Sequence, residues 1–562
     1  MTQALLKKLV HFRSLCLFFV LISFSSQGAA NDSAAVVSAH PLATSAGYAI
    51  LDQGGNAFDA AAAVSAVLAV VEPYASGLGG GGFWLLHDVK TGRDIMIDGR
   101  EVAPAGASEK MYLDENGQPV PGKSLNGPLA AGIPGTPAAL VHLTKKYGQL
   151  DLAQNLDPAI RLARNGFKID QRFVQSLQYH KKKLALYADT AKIFLPDGKP
   201  PVAGQLFRQP QLATTLAAIA KSGHQGFYQG AVAKALIQSV KKAGGVWIEQ
   251  DLNDYKVVER TPVRFNYRNA QITTASLPSA GGLTLAQALN ILEFLSLHEK
   301  NGYNQAHLIA EVLRLTYKDR VELLGDGDFV QVPVERLISK AYARKQAALI
   351  DPDRAGKSVV EEQSGFKEGK ETTHFSIIDK AGNRVAATMS INTFFGSGFV
   401  AGNTGVLLNN EMDDFAMGEH IPNVFGLYGS RANTIAAGKR PLSSMSPTFV
   451  ENNNGILIVG TPGGSRIISM LLLVILDYVN NTQIDGEKLV AKPRFHHQYL
   501  PDFIQIEPDA FDSGWITALQ SMGHEVRAMK RKWGNMQLIF YDKRTQQSQV
   551  ASDPRGLVDT RY

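Results

Sequence analysis

At 562 residues, 45% hydrophobic and 19% charged, the chain has the composition of a globular protein that buries a large core, in two or three average domains or one large α/β unit. The formal charge of +6 falls to +3 once residues 1–30, which hold Lys7, Lys8 and Arg13 and no acid, are set aside. The remaining basic residues form no long run and no ladder with aromatics, which argues against nucleic-acid binding. Cys16 is the only cysteine, so the chain beyond it has no disulfide, no thiol nucleophile and no thiolate metal site.

The N-terminus pairs a basic region with an apolar core from about Leu15 to Phe24 and small residues from Gly28 to Ala30. This is a secretory signal pattern, with cleavage expected near Ala30. The apolar run falls short of the roughly 20 residues that span a bilayer, a retained membrane anchor being the alternative. An exported chain without disulfides must rely on its core for stability.

"AAVVSAH" then reads as a strand and "LATSAGYAILDQGG" as a helix closed by glycines. "NAFDAAAAVSAVLAVVEP" (56–73) opens on an N-cap candidate, Asn56, is apolar nearly all round, and ends at Pro73. It predicts a buried helix. "GLGGGG" (77–82) lacks the lysine of a phosphate loop and reads as close packing. "GFWLLHDVKTGRDIMIDGRE" predicts a hairpin turning at "KTGR". From about 135 to 350 helical patterns dominate, interrupted by the strand-like runs "KVVERTPVRFNY" and "AQITTASL".

Residues 353–371 are charged and aperiodic and read as an exposed, mobile segment. The character then changes. "THFSIID", "RVAATMSI" and "TGVLLNN" read as strands, with helices following at 464–480 and 486–495. Strands set between helices on both sides imply a layered α/β architecture. Thr372 thus heads a core strand directly after a solvent-reachable tract. A plain surface loop entering a strand has the same composition, and composition does not decide between them.

Eight ordered blocks carry a resemblance. "HPLATSAGYAILDQGGNAFDAA", "GLGGGGF", "IDGREVAPAGA", "TTHFSIID", "NNEMDDF", "KRPLSSMSPT", "TPGGSR" and "PRFHHQ" together resemble the γ-glutamyltranspeptidase (glutathione hydrolase) family, from about residue 35 to 562. The resemblance implies an Ntn-hydrolase: an α/β protein with a four-layer αββα sandwich. It implies a precursor that cuts itself at Glu371–Thr372. A large subunit (31–371) and a small subunit (372–562) would then stay together as a heterodimer.

The chemistry follows from that cut. The Thr372 hydroxyl attacks the carbonyl before it, and the ester formed by the N-to-O shift is hydrolysed. The freed α-amine, with a reference pKa of about 7.7–8.0, then serves as base to the hydroxyl on the same residue. By family match, Arg100 would hold the α-carboxylate of a γ-glutamyl donor through its planar fork, with Ser443 and Ser444 adding hydroxyls. Asp414 would take the α-ammonium, with Glu411 and Asn392 assisting. Gly463 and Gly464 would supply oxyanion donors, each worth about 10²–10³ in rate. Ser390 would stand beside the nucleophile where relatives carry threonine, and Thr373 and His374 would support it.

His374, His496 and His497 lack a carboxylate at ligand spacing and read as structural, so neither metal nor cofactor is expected. "GEHIPNVFGLYGS" (418–430) fits a lid loop, with Phe425 in place of a tyrosine and hence a looser latch to Asn392. The expected activity is transfer of the γ-glutamyl group of glutathione to water, amino acids or short peptides, by an exported protein whose expected compartment, as the family pattern implies, is the periplasm. A glutaryl (cephalosporin) acylase and a non-enzymatic periplasmic binding protein are the rival readings.

Overall fold

A computed structural model describes residues 33–297, 300, 302–359, 372–418 and 421–557. The expected signal peptide, Glu371 and residues 360–370 lie outside the described residues.

The fold is built on two six-stranded antiparallel sheets. In chain order the strands are β1 (Ala35–Ser38), β2 (Gly81–Asp88), β3 (Arg93–Gly99), β4 (Val258–Arg260), β5 (Val263–Tyr267), β6 (Ala270–Thr274), β7 (Thr373–Ile378), β8 (Arg384–Ser390), β9 (Thr448–Glu451), β10 (Gly455–Gly460), β11 (Gln537–Asp542) and β12 (Gln547–Ser552). The first sheet runs β1-β7-β8-β2-β3-β4 and the second β12-β11-β10-β9-β6-β5.

Five helices position the site: α1 (Pro41–Asp52), α2 (Ala57–Val71), α3 (Gly281–Leu292), α4 (Gly302–Leu323) and α5 (Ile467–Asn480). The sheets pack face to face, with α1 and α2 outside the first and α3 and α5 outside the second. This is the αββα sandwich.

Helix α2 forms as its sequence dictates. The Asn56 side chain accepts from the backbone N–H groups of Phe58 and Asp59, and Asp59 returns a bond to the Asn56 N–H. Every residue from Ala57 to Val71 is buried, because β7 and β8 cover one side and neighbouring helices the other. Each buried valine or leucine contributes about 1.5–3 kcal/mol.

Strand β7 is buried on both faces. Phe375 and Ile377 join the core shared with α2, while Ser376 donates from its other face to the Ile458 and Gln537 carbonyls of the second sheet. The alternation places residues 372, 374 and 376 toward one sheet face and 373, 375 and 377 toward the other.

Two expectations are revised. "TGVLLNN" forms no strand, only isolated bridges of Leu407 to Val400 and Leu408 to Gly79. Gly402 just before it and Gly405 within it, both at positive φ, turn the chain before a ladder can run on. Of the tract read as mobile, 353–359 is tied down. Ala355 N–H donates to the Met522 carbonyl at 2.7 Å, and Ser358 N–H to Asp502 at 3.0 Å.

Candidate active site

Thr372 stands at the head of β7, 7% exposed, with φ at 115°, a region L residues avoid. Its hydroxyl donates to Ser390 Oγ at 3.2 Å, and Ser390 Oγ also accepts from Asn392 N–H at 2.7 Å. The register pairs Met389 with Thr373, so the end of β8 lies beside the nucleophile candidate. Thr373 points the other way, donating to Glu72 Oε2 at 2.8 Å; Tyr74 OH donates to the second oxygen of the same carboxylate. Burial pushes His374 down to about 3, leaving a neutral ring between Thr388 and Ser376.

One pocket gathers Thr372, Ser390, Asn392, Arg100, Glu411, Asp414, Ser443, Ser444 and Gly464. Arg100, 1% exposed, donates from Nη1 to Glu411 at 2.6 Å and from Nη2 to Asp414 at 2.5 Å; Nε donates to the Pro441 carbonyl at 3.1 Å. Burial opposes its charge, yet Glu411, Asp414 and Glu101 together hold its pKa above the ordinary value. Burial pushes Glu101 up to about 7 against the pull of Arg100, and it raises Glu411 well above the usual carboxylate range. The pocket therefore holds both signs of charge in a dry wall.

Gly464 has φ at 57°, and a Cβ there would stand 3.0 Å from the Phe425 ring, so only glycine fits without strain. A 3₁₀ turn over Gly464–Arg466 leads into α5, whose N-terminal end carries the favourable dipole for developing negative charge. Gly463 is not among the residues lining the pocket; it lies behind, against Met470.

The lid covers this turn. Phe425 is buried, and Asn392 Nδ2 donates to the Asn410 carbonyl rather than to the lid. The lid is held through its backbone instead. Val424 N–H donates to Asp413, and Gln498 Nε2 donates to the carbonyls of Phe425 at 3.2 Å and Gly426 at 3.4 Å. Asn423 Nδ2 adds a bond to Asp414 Oδ1.

The histidines do not meet. His496 binds Ser469 and Gln498, and His497 pairs with Asp502. No group of three or more His, Cys, Asp or Glu among the described residues is arranged to hold a metal ion.

Sequence reading missed several contributors. Glu101 neighbours Arg100 and was open to view. Asp98 accepts from Arg100 N–H at 2.9 Å and from Arg260, which fixes the end of β3. Arg320 reaches the pocket from α4, and nothing in the helical pattern marks it out from other polar residues.

The family model for γ-glutamyltranspeptidase matches residues 43–559. The chain is 42% identical over 536 residues to the glutathione hydrolase proenzyme of Escherichia coli, covering 93% of this chain and 90% of that protein. It is 40% identical to the proenzyme of the same description from Pseudomonas aeruginosa, covering 97% and 98%. Among solved structures, the cephalosporin acylase of Bacillus halodurans superposes with a TM-score of 0.81 at 25% identity, covering 94% of this chain and 95% of that one. By sequence and by fold, this chain belongs to the γ-glutamyltranspeptidase family.

Proposed function

We propose that the protein is a self-cleaving γ-glutamyltransferase and glutathione hydrolase. Scission falls between residues 371 and 372, giving subunits 31–371 and 372–562. The observation that carries the reading is one pocket that brings the Thr372 hydroxyl together with Arg100, Ser443 and Ser444, which suit a carboxylate, and with Glu411 and Asp414, which suit an ammonium. The φ of 115° at Thr372 supports strain at the bond to be broken, of the order of 1–3 kcal/mol.

In the mature enzyme the Thr372 amine takes the proton from its own hydroxyl as Oγ attacks the donor's γ-carbonyl. The tetrahedral oxyanion is met by the backbone N–H of Gly464, which lines the pocket, with the Gly463 N–H approaching from behind it as the donor is bound. The amine returns the proton to the leaving nitrogen, which departs as Cys-Gly when the donor is glutathione. Water, or the amine of an amino acid or peptide, then opens the γ-glutamyl ester. Ser390 orients the nucleophile, and Asn392 shapes the same corner of the pocket. No helix among the described residues is long and apolar enough to cross a membrane, and the N-terminal pattern supports export to the periplasm.

The glutaryl-acylase alternative is disfavoured by Asp414 and Glu411, which a glutaryl group, lacking an α-amine, has no use for. A denaturing gel and two chromogenic anilides test the proposal. The wild type runs as two fragments and Thr372→Ala as one, and the wild type cleaves γ-glutamyl anilide far faster than glutaryl anilide. A wild type that stays one chain overturns the mechanism, and a preference for the glutaryl anilide overturns the substrate class.

A further inference from the structure

Each guanidinium nitrogen of Arg100 already has a partner: Nη1 has Glu411 and Glu101, Nη2 has Asp414, and Nε has the Pro441 carbonyl. A donor carboxylate that approaches Arg100 must therefore displace acids or share the cation with them. A second guanidinium opens on the same pocket under different terms. Arg320, on α4, is 5% exposed and lines both the pocket around Thr372 and the adjoining one beneath the lid. Its Nη2 donates to Ser444 Oγ at 3.2 Å, and its buried Nε has no hydrogen-bond partner among the described residues. Asp414 acts on it only as a neighbouring charge, and burial dominates, holding its pKa below the ordinary value.

A buried cation with a free donor and no paired carboxylate is unfavourable in isolation, and it becomes favourable when a ligand brings the missing charge. We propose that Arg320, acting through Ser444 and by its own unshared charge, is a positioning residue for the α-carboxylate of the γ-glutamyl donor. The proposal rests on the reading of this pocket as a γ-glutamyl site.

The chemistry is specific. A serine hydroxyl has one proton to donate and two lone pairs. With one lone pair engaged by Arg320, the Ser444 proton is left to point at an incoming carboxylate, and the bond from the cation polarises it. As the donor's ammonium draws Asp414 and Glu411 toward itself, Arg100 is loosened. The carboxylate then lies between two guanidinium groups, only one of which has acids competing for it.

The test compares two anilides that differ only in the group concerned. γ-Glutamyl anilide has the α-carboxylate; 4-aminobutyryl anilide has the same amine and amide without it. Replacing Arg320→Met lowers kcat/KM for the first by about 10- to 100-fold, chiefly through KM, the range for a hydrogen bond to a charged group. It changes the second less than about twofold. Arg320→Lys, which keeps a charge but not the fork, falls between. Should Arg320→Met not fold and self-cleave, Arg320→Gln, which keeps a donor for Ser444 without the charge, carries the same comparison at smaller amplitude. Equal losses on both anilides assign Arg320 a structural role and overturn the proposal. A wild type that does not distinguish the two anilides overturns the donor reading itself, and the proposal falls with it.

Discussion

Arg100 keeps its charge in the interior because three acids face it, and the balance is set so that those acids are the weaker partners. Burial holds Glu101 at about 7, above its ordinary 4.5, and raises Glu411 as well. A carboxyl whose folded pKa exceeds its unfolded one binds a proton in the native state that the unfolded chain has released. Stability then falls as pH rises through that window, from about 4.5 to about 7 for Glu101. Replacing Arg100→Gln strands these acids, so the loss is greatest where they must ionise. Urea unfolding is expected to give a deficit of about 3–5 kcal/mol at pH 8 and a smaller one at pH 5.5, where protonation relieves the repulsion. A deficit independent of pH counts against the charge balance described.

The order of the motif blocks, which carries the family resemblance, made Arg100, Glu411 and Asp414 legible in the sequence, while Glu101 passed unmarked beside Arg100. Arg320 was not legible, because it lies in a long helix whose polar and apolar residues are both buried, so the pattern separates no functional side.

Among the elements, the lid shows how backbone groups can take over a bond that a side chain has lost. With Phe425 there is no hydroxyl to reach Asn392, and the expected consequence is a loose lid. The Gln498 amide supplies another attachment. Its Oε1 accepts from Ser465 at 2.6 Å and meets His496 Nε2 at 2.9 Å, which turns Nε2 toward the lid carbonyls. Burial pushes His496 down to about 3, so the ring is neutral, its Nε2 facing Gln498 Oε1 and its Nδ1 2.9 Å from Ser469 Oγ. Gln498 thereby ties the lid to the turn after Gly464.

The second N–H of the Gln498 amide serves the Leu500 carbonyl at 3.1 Å, so the amide gives the lid about one neutral hydrogen bond, shared between the Phe425 and Gly426 carbonyls. At about 0.5–1.5 kcal/mol this implies a rise of about two- to tenfold in donor KM for Gln498→Leu, with a smaller change in kcat. Steady-state kinetics on γ-glutamyl anilide check this, and an unchanged KM rules out the latch. The resemblance leads one to expect a lid over 418–430 but not its latch, since Gln498 comes from a segment far along the chain. The strand expected at "TGVLLNN" failed for a related reason. Apolar content predicts burial, which is observed, while Asn409 donates across to the Gly79 and Gly132 carbonyls and so takes the place of a ladder.

At the scale of the whole molecule, the proposed cut falls inside a fold whose halves are interleaved. The hairpin β7–β8, which follows the proposed cut, lies between β1 and β2, which precede it, and β9 from after the cut pairs with β6 from before it. Both sheets therefore contain strands from each side of residue 372. The site is shared likewise: Arg100 belongs to one side, Glu411 and Asp414 to the other. Separation would break three strand ladders, expose unpaired edges and leave buried charges without partners. Cutting one peptide bond removes none of these contacts. The mature fragments are expected to co-elute on size exclusion even in 1 M salt, which screens only exposed ion pairs. They are expected to unfold in one cooperative transition seen alike by fluorescence and circular dichroism. Fragments that part without denaturant, or two separated transitions, would mean that the subunits are packed modules and that the site closes by docking, not by shared sheets.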